Sequence, residues 1–386
     1  MTHSKFRGHV STLSKSQPAN SLHSRVFTAL TVLVLMGLLG TLASLVWIRI
    51  LPERYFYDGE YIRSLLGTDL NPTQAFDTFV NTAWVFAMLG FRADTPREIT
   101  SVILFLLAFI PTAAWFFAGL RRLQYWGLTL LGIWVAVGSI YQGQLSKEVI
   151  ALWFTSLILY VVGFRRPVAW LAFVIPLVYA VAFRPYWIVI AAFWGLFWWL
   201  SNRRWAFSLK LLVFVGALVA ASSVYYLYQG EHITEIRERL NEFRIGSDVA
   251  QSMIVNYLPN NTILHDVANW IISWMFILFP LPVLRLLEPL QWIFFVLVVS
   301  TVITFYWISL NVQRESGRFS PLQLRRVRAC LTFMMAFTLV QAIFEPDYGS
   351  VLKHMTDLLP MIAYLLALGL ATKPKRVKLL RKSHDS

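Results

Sequence analysis

The chain has 386 residues, 57% of them hydrophobic and only 14% charged, with 16 Trp and a formal net charge of +14. A soluble domain carries nearer a quarter charged residues, so this composition excludes a soluble globular protein and predicts repeated membrane crossings. The single cysteine, Cys330, excludes an internal disulfide framework and a cysteine-built metal site.

In chain order, residues 1–26 form a polar, basic tail, and the apolar run Phe27 to Leu51 is too long for a cleaved signal, which makes it a first span. A long polar segment, 52–98, follows, and within it Phe76 to Phe91 is too short and interrupted to cross. Spans are then predicted over Ile99–Leu120, Tyr125–Tyr141, a fourth that ends at Arg165-Arg166, a fifth that ends at Phe183 and a sixth that ends at Arg203-Arg204. A seventh covers Phe207 to Tyr228 and leads into a second polar segment, Gln229 to Asn269. Trp270 to Leu287 is apolar but carries Pro280, Pro282 and Arg285, and is read as re-entrant, because irregular backbone at membrane depth is tolerated where other helices bury it. Spans over Leu290–Leu310, Ala329–Phe344 and Leu358–Thr372 complete the expectation. It is an all-α, polytopic membrane helix bundle of about ten spans over 27–372, with outer-face loops 52–98 and 229–289 and a second basic tail at 373–386.

On this topology the segments on the side of the termini hold 22 of the 34 Lys/Arg and only two of the 20 Asp/Glu, Glu315 and Asp385. Lys and Arg accumulate on the cytoplasmic side, so both termini are expected to be cytoplasmic. The basic excess is then an orientation signal strengthened by anionic lipid headgroups. Nucleic-acid binding gains no support, since the chain has no recognition motif and no separate basic domain.

Every chemically rich cluster falls on the opposite, outer face. These are Asp58 and Glu60 after span one, Lys147-Glu148, Arg184, Arg285, and Glu345 with Asp347, Tyr348, Lys353 and His354 in the last connection. The span interiors hold almost no ionisable side chains, whereas ion-coupled transporters line a path near mid-membrane. Carboxylates serve as general bases for an attacking hydroxyl, and nearby cations stabilise charge on a phosphate leaving group. That pairing fits sugar transfer from a lipid-linked donor, with Asp58 as first choice and Glu345 as second choice for the base. Substrate contacts are then expected from Glu60, Lys147, Glu148, Arg184, Arg285, Asp347, Tyr348, Lys353 and His354, with Arg184 and Lys353 on the diphosphate.

Each group also has an ordinary reading. Asp58 and Glu60 would solvate a headgroup-level helix, Lys147-Glu148 would be a helix-end ion pair of little weight, Arg184 would bind lipid phosphate, and His354 would be an interfacial histidine. Asp58-x-Glu60 offers two oxygen ligands to a divalent ion but no third, so no metal and no cofactor is assigned.

The motifs Tyr57-Asp58-Gly59-Glu60-Tyr61, Ser146-Lys147-Glu148, Phe183-Arg184-Pro185, Leu278-Phe279-Pro280-Leu281-Pro282 and Glu345-Pro346-Asp347-Tyr348-Gly349-Ser350 with Lys353-His354 resemble those of bacterial exopolysaccharide and O-antigen repeat-unit polymerases of the EpsG/Wzy type. The resemblance implies a GT-C-like glycosyltransferase of the bacterial inner (cytoplasmic) membrane, joining polyprenyl-diphosphate-linked oligosaccharides on the outer leaflet. It also implies a flippase and a chain-length regulator as partners, besides the membrane lipids. One departure is Lys353, where the resemblance implies arginine; lysine keeps the charge but loses the bidentate grip on phosphate. The other readings are a single-sugar transferase using a polyprenyl phosphate, a flippase or permease for a polysaccharide precursor, and a non-catalytic assembly subunit.

Overall fold

The computed structural model describes residues 20–68, 77–119, 125–164, 166–242, 252–286, 289–314 and 319–368. Residues 1–19 of the predicted tail 1–26, the predicted tail 373–386, and Arg121, Arg122, Arg165, Glu315 and Arg318 from the charge count lie outside the described residues. Among the described residues the chain is helical throughout, with one isolated bridge between Met253 and Asp347.

Helix α1 spans Asn20–Ile50 and a 3-10 turn leads into α2, Tyr57–Leu65. Helix α3 is the short Thr78–Met88, in the stretch expected not to cross, and Asp77 caps it by accepting from Phe79 N (2.8 Å) and Val80 N (3.2 Å). Then come α4 (Arg97–Gly119), α5 (Tyr125–Gln142), α6 (Lys147–Val162), the single turn α7 (Arg166–Ala169), α8 (Val174–Ala182), α9 (Trp187–Asn202) and α10 (Phe207–Gln229). Gly230, in the left-handed region at φ 74°, ends α10. Past it lie α11 (Glu235–Glu242), α12 (Ile263–Leu278), a 3-10 turn Leu281–Arg285, α13 (Pro289–Arg314), α14 (Pro321–Phe344), α15 (Tyr348–Met355) and α16 (Leu359–Leu368).

Among the described residues six stretches are long and apolar enough to cross a membrane: Phe27–Ile50, Arg97–Gly119, Phe207–Gln229, Gln291–Val312, Pro321–Phe344 and Tyr348–Leu368. The chain is therefore a multi-pass membrane protein in its architecture. Two expected boundaries move. Ser320 and Gln323 form a reciprocal capping box with Pro321 at the first turn, so α14 begins well before Ala329 and carries Arg325, Arg326 and Arg328 on the helix rather than in a loop. The last span begins at Tyr348 rather than Leu358, because only the 3-10 turn Thr356–Leu358 separates α15 from α16. Lys353, His354 and Asp357 thus sit on a helix and not in a flexible connection.

That last helix is the axis of the molecule. All ten residues of α16 are buried, and at Gly119 of α4 an added Cβ would lie 2.6 Å from the Tyr364 carbonyl, so only glycine allows the two helices this approach. Aromatic side chains fill the space around α14: Trp194 Nε1 donates to Thr332 Oγ1 (3.1 Å), Trp270 Nε1 to the Leu339 carbonyl (2.7 Å) and Trp274 Nε1 to Thr338 Oγ1 (3.0 Å). Each indole buries a large apolar body yet satisfies its one donor. Helix α10, by contrast, is exposed along most of its length, the pattern of a face turned to lipid.

The two ends of the bundle differ in charge. At one end the arginines of α14 cover helix C-termini: Arg325 donates to the Phe164 carbonyl, Arg326 to the Leu159 carbonyl (3.3 Å) while stacking over Trp115, and Arg328 to Asn202. Cations on exposed C-terminal carbonyls complement the helix dipole. The acidic and mixed-charge groups gather at the other end.

Candidate functional site

The site grows from four chain breaks at that second end. Pro346 cannot continue α14, so the helix ends at Phe344 with Glu345 as its extended C-cap, and Asp347 then caps α15 by accepting from Ser350 N (2.8 Å) and Ser350 Oγ (3.0 Å). Within α15 and the turn after it, position 357 stands three residues past 354 and four past 353, which presents Lys353, His354 and Asp357 to the same neighbours. The α5–α6 turn supplies Glu148 in the first turn of α6, where the helix dipole favours a carboxylate. Arg184 comes from the tight turn between α8 and α9. Asp58 comes from the first turn of α2, which lies against the α5–α6 turn: an added Cβ on Gly59 would meet Gln144 Oε1 at 2.8 Å, and Gln144 Nε2 donates to the Tyr55 carbonyl (3.1 Å).

Glu148 is the hub. Its side chain, 1% exposed, is paired with Arg184 and lies 3.6 Å from Lys353 Nζ and 3.4 Å from His354 Nε2. Arg184 Nη1 also reaches Asp357 Oδ2 at 3.3 Å, and Asp357 is fully buried. Lys353 pairs in turn with Asp58, and the other ring nitrogen of His354, Nδ1, lies 2.6 Å from Glu345 Oε1. The result is a continuous run of alternating charge, Asp58–Lys353–Glu148–Arg184–Asp357, with His354 bridging Glu148 to Glu345. Removing one member from a buried set of this kind strands an unpaired charge.

Access is graded along the run. Asp58 is 35% and Lys353 18% exposed, whereas Arg184 is 8% and Asp357 0% exposed. The solvent-facing groups are therefore a carboxylate and an ammonium in contact, backed by buried charge. Burial works against the charged form of Arg184, but the facing Tyr186, Glu148, Tyr179 and Asp357 overcome it and raise its pKa well above the ordinary value. Its charge is permanent. Glu148 Oε2, Asp357 Oδ1 and the Tyr186 hydroxyl are buried with no hydrogen-bond partner among the described residues, unspent polar capacity of the sort that collects where a protein binds or reacts.

Of the residues singled out in the sequence, Asp58, Glu148, Arg184, Glu345, Lys353 and His354 come together here. Lys147 stands beside them but does not pair with its neighbour Glu148: it donates to Thr78 Oγ1 (2.6 Å) and lies 3.5 Å over the Phe79 ring, tying α3 to the site. Glu60 turns the other way, to Arg97 (2.8 Å) and Arg63 (3.9 Å), so Asp58 and Glu60 do not converge on one point. Asp347 is engaged as a cap, Tyr348 is buried against Phe294, and Arg285 is exposed at the end of its 3-10 turn. Among the described residues no three His, Cys, Asp or Glu side chains are placed to hold a metal ion.

Asp357 is the member that the sequence reading left out, and it contradicts the expectation of span interiors almost free of ionisable groups. Its signal is a carboxylate directly before the apolar run that starts at Leu358, four residues past Lys353 and three past His354, and an ionisable residue within a span is a functional candidate by default.

The second polar segment, for which the sequence offers no role, lies over the connector that carries Glu345. Ile254 N donates to the Pro346 carbonyl (2.8 Å), and the buried Arg237 donates to the Ala342 carbonyl at the end of α14 and to Asn256. The near end is fixed by Asp266, which accepts from Ser222, from Thr234 N (3.0 Å) and from Thr234 Oγ1 (2.6 Å). Burial pushes the Arg237 guanidinium down to about 10, still a cation at neutral pH. Arg237→Ala takes the donor from the Ala342 carbonyl and from Asn256 Oδ1 and is expected to cost about 1–3 kcal/mol. Limited proteolysis of the variant in native membranes should cut between Glu231 and Thr262 faster than in wild type; an unchanged cutting rate would mean that Arg237 does not hold the segment down.

No family model matches the chain, and neither the curated proteins nor the solved structures include a match to it.

Proposed function

We propose that the chain is a membrane glycosyltransferase that joins polyprenyl-diphosphate-linked sugar units, the chain-lengthening step of exopolysaccharide or O-antigen assembly, at the outer face of a bacterial cytoplasmic membrane. The observation that carries this reading is the contact of an accessible carboxylate, Asp58, with an accessible cation, Lys353, backed by buried Glu148, Arg184 and His354. The acceptor hydroxyl attacks the anomeric carbon of the donor, the bond from that carbon to the phosphate oxygen breaks, and the polyprenyl diphosphate departs with the electron pair. Asp58 takes the hydroxyl proton. Lys353 and His354 face the charge that develops on the leaving oxygen. In the resting site Asp58 and Lys353 neutralise one another, and an arriving diphosphate draws the ammonium away and leaves the carboxylate free as a base. Arg184, enclosed by two carboxylates, organises Glu148 and Asp357 in place of gripping the diphosphate itself.

The membrane topology that goes with this reading has ten crossings: α1, α4, α5, α6, α8, α9, α10, α13, α14 and the α15–α16 helix. Helices α12 and α13 support a re-entrant turn between them, because both begin near the site end. Asp266 in the first turn of α12 is bound to Thr234, just past α10, and Phe294 near the start of α13 packs on Tyr348. Successive helices that start at one end require the chain to return between them, and Pro280 and Pro282 stand where it turns. The basic end then faces the cytoplasm with both termini. With Cys330 replaced by Ala, Tyr57→Cys should label from outside intact cells with an impermeant thiol reagent and Leu322→Cys only after permeabilisation; external labelling of Leu322→Cys would invert or break this topology.

Deleting the gene in its host tests the activity. Lipid-linked single repeat units are expected to accumulate on the outer leaflet with loss of long polymer. Accumulation on the inner leaflet would assign the chain to flipping, and loss of one sugar from each repeat unit would assign it to single-sugar transfer.

A further inference from the structure

A cavity of about 320 Å3 opens in the side of the bundle between α13 and α14. Trp134 and Trp274 form its walls, Val302 and Tyr306 one lip, Met335 the other, and Met355 closes the end next to the site. The indoles and threonines of this lining are engaged: Trp134 Nε1 donates to Thr301 Oγ1 (2.9 Å), Trp274 Nε1 to Thr338 Oγ1 (3.0 Å), and the two threonine hydroxyls donate to the Leu297 and Met334 carbonyls (2.7 and 2.9 Å). With only the Ser309 and Tyr306 hydroxyls besides, the lining is mostly apolar and offers water few partners. Its mouth is lined by the exposed Tyr306 and Met335, on helices whose outer surface is apolar, so what enters from that side is hydrocarbon.

We propose that this cavity seats the first isoprene units of a single prenyl chain whose diphosphate lies at Lys353 and His354. Three observations select that occupant. Leu358, in the lining beside Met355, stands four residues past His354 and so shares its helix face, which lets one molecule with an anionic head and an apolar tail reach both the cation and the cavity. The cavity, about 320 Å3, is roughly twice the ~150 Å3 apolar cavity that takes up a benzene, room for the start of one chain. The lips are Met and aromatic side chains, which adapt to a methyl-branched chain better than a rigid aliphatic slot does. The inference rests on the transferase reading for the identity of the head group, and the cavity for the tail adds the site's second half: it fixes which end of the lipid-linked sugar meets Asp58.

The test is photo-crosslinking with a benzophenone-tagged geranylgeranyl diphosphate on the full-length protein in lipid nanodiscs, followed by peptide mapping. Crosslinks are expected in the peptides that contain Tyr306 and Met335. Met335→Trp, which fills the mouth, should lower their yield at least tenfold, while Tyr306→Ala, which widens it, keeps them. Excess phosphatidylglycerol should not compete, whereas unlabelled prenyl diphosphate should. Crosslinks spread over α1 and α10, equal competition by phosphatidylglycerol, or full labelling of a folded Met335→Trp protein would each overturn the inference. The two readings separate cleanly: cavity crosslinks in a protein that transfers no sugar support the tail site and sink the transferase, and sugar transfer with crosslinks elsewhere does the reverse.

Discussion

Arg184→Ala is expected to lower the stability of the folded protein by about 3–5 kcal/mol, the cost of stranding a buried charge when its partner is removed. Arg184 is the counter-ion of two enclosed carboxylates, Glu148 at 1% and Asp357 at 0% exposure, and no other arginine in the described residues reaches either. Lys353 and His354 stay near Glu148, but Asp357 loses its one ion-pair partner among the described residues. The decisive comparison is with the double variant Arg184→Met plus Asp357→Leu, which removes the cation and the carboxylate it leaves behind. Unfolding of the purified proteins in mixed micelles should show the double variant recovering more than half of the loss. A double variant no more stable than Arg184→Ala would mean that the pairing with Asp357 is not what Arg184 contributes.

Asp58→Asn is expected to act on rate and not on stability. The side chain is 35% exposed and its pairing with Lys353 is at the edge of the cluster, so the amide substitution leaves the buried network intact. On the proposed reaction it removes the proton acceptor, and general-base catalysis of this kind contributes about 10²–10⁴-fold. Expression, membrane insertion and unfolding should match wild type while polymer formation falls by that factor. Glu345→Gln is the informative companion. Glu345 is 4% exposed and bound to His354, so its loss should weaken the reaction less than the loss of Asp58, by displacing the imidazole. A Glu345→Gln defect deeper than that of Asp58→Asn would move the base to the buried end of the run.

The membrane class of the fold was plain in the sequence because apolar runs near twenty residues have one physical explanation. Boundaries were harder where a polar or charged residue sits on a helix. Arg325, Arg326 and Arg328 read as a loop, yet the Ser320–Gln323 capping box places them on α14, where they bind carbonyls of other helices. Likewise Lys353, His354 and Asp357 read as a connection because charge is costly inside a span, but here each charge is offset by a partner from another helix. Pairing over such separations is invisible in one sequence: Lys353 and Asp58 lie 295 residues apart. The same reason explains why Glu60 and Arg285 were grouped with the site by side of membrane although the fold directs them elsewhere. Residue type and membrane face brought six site residues together; the direction in which each side chain points required the structure.

The account stands most directly on one measurement. Purified wild-type protein in liposomes, with no other protein present, is supplied with a polyprenyl-diphosphate-linked repeat unit on the face that carries Asp58, and release of free polyprenyl diphosphate is followed alongside product length. The account predicts one polyprenyl diphosphate released for each glycosidic bond, with a ladder of products that lengthens in time and disappears in Asp58→Asn. Translocation of the intact lipid-linked unit across the bilayer, with no polyprenyl diphosphate released, would contradict it.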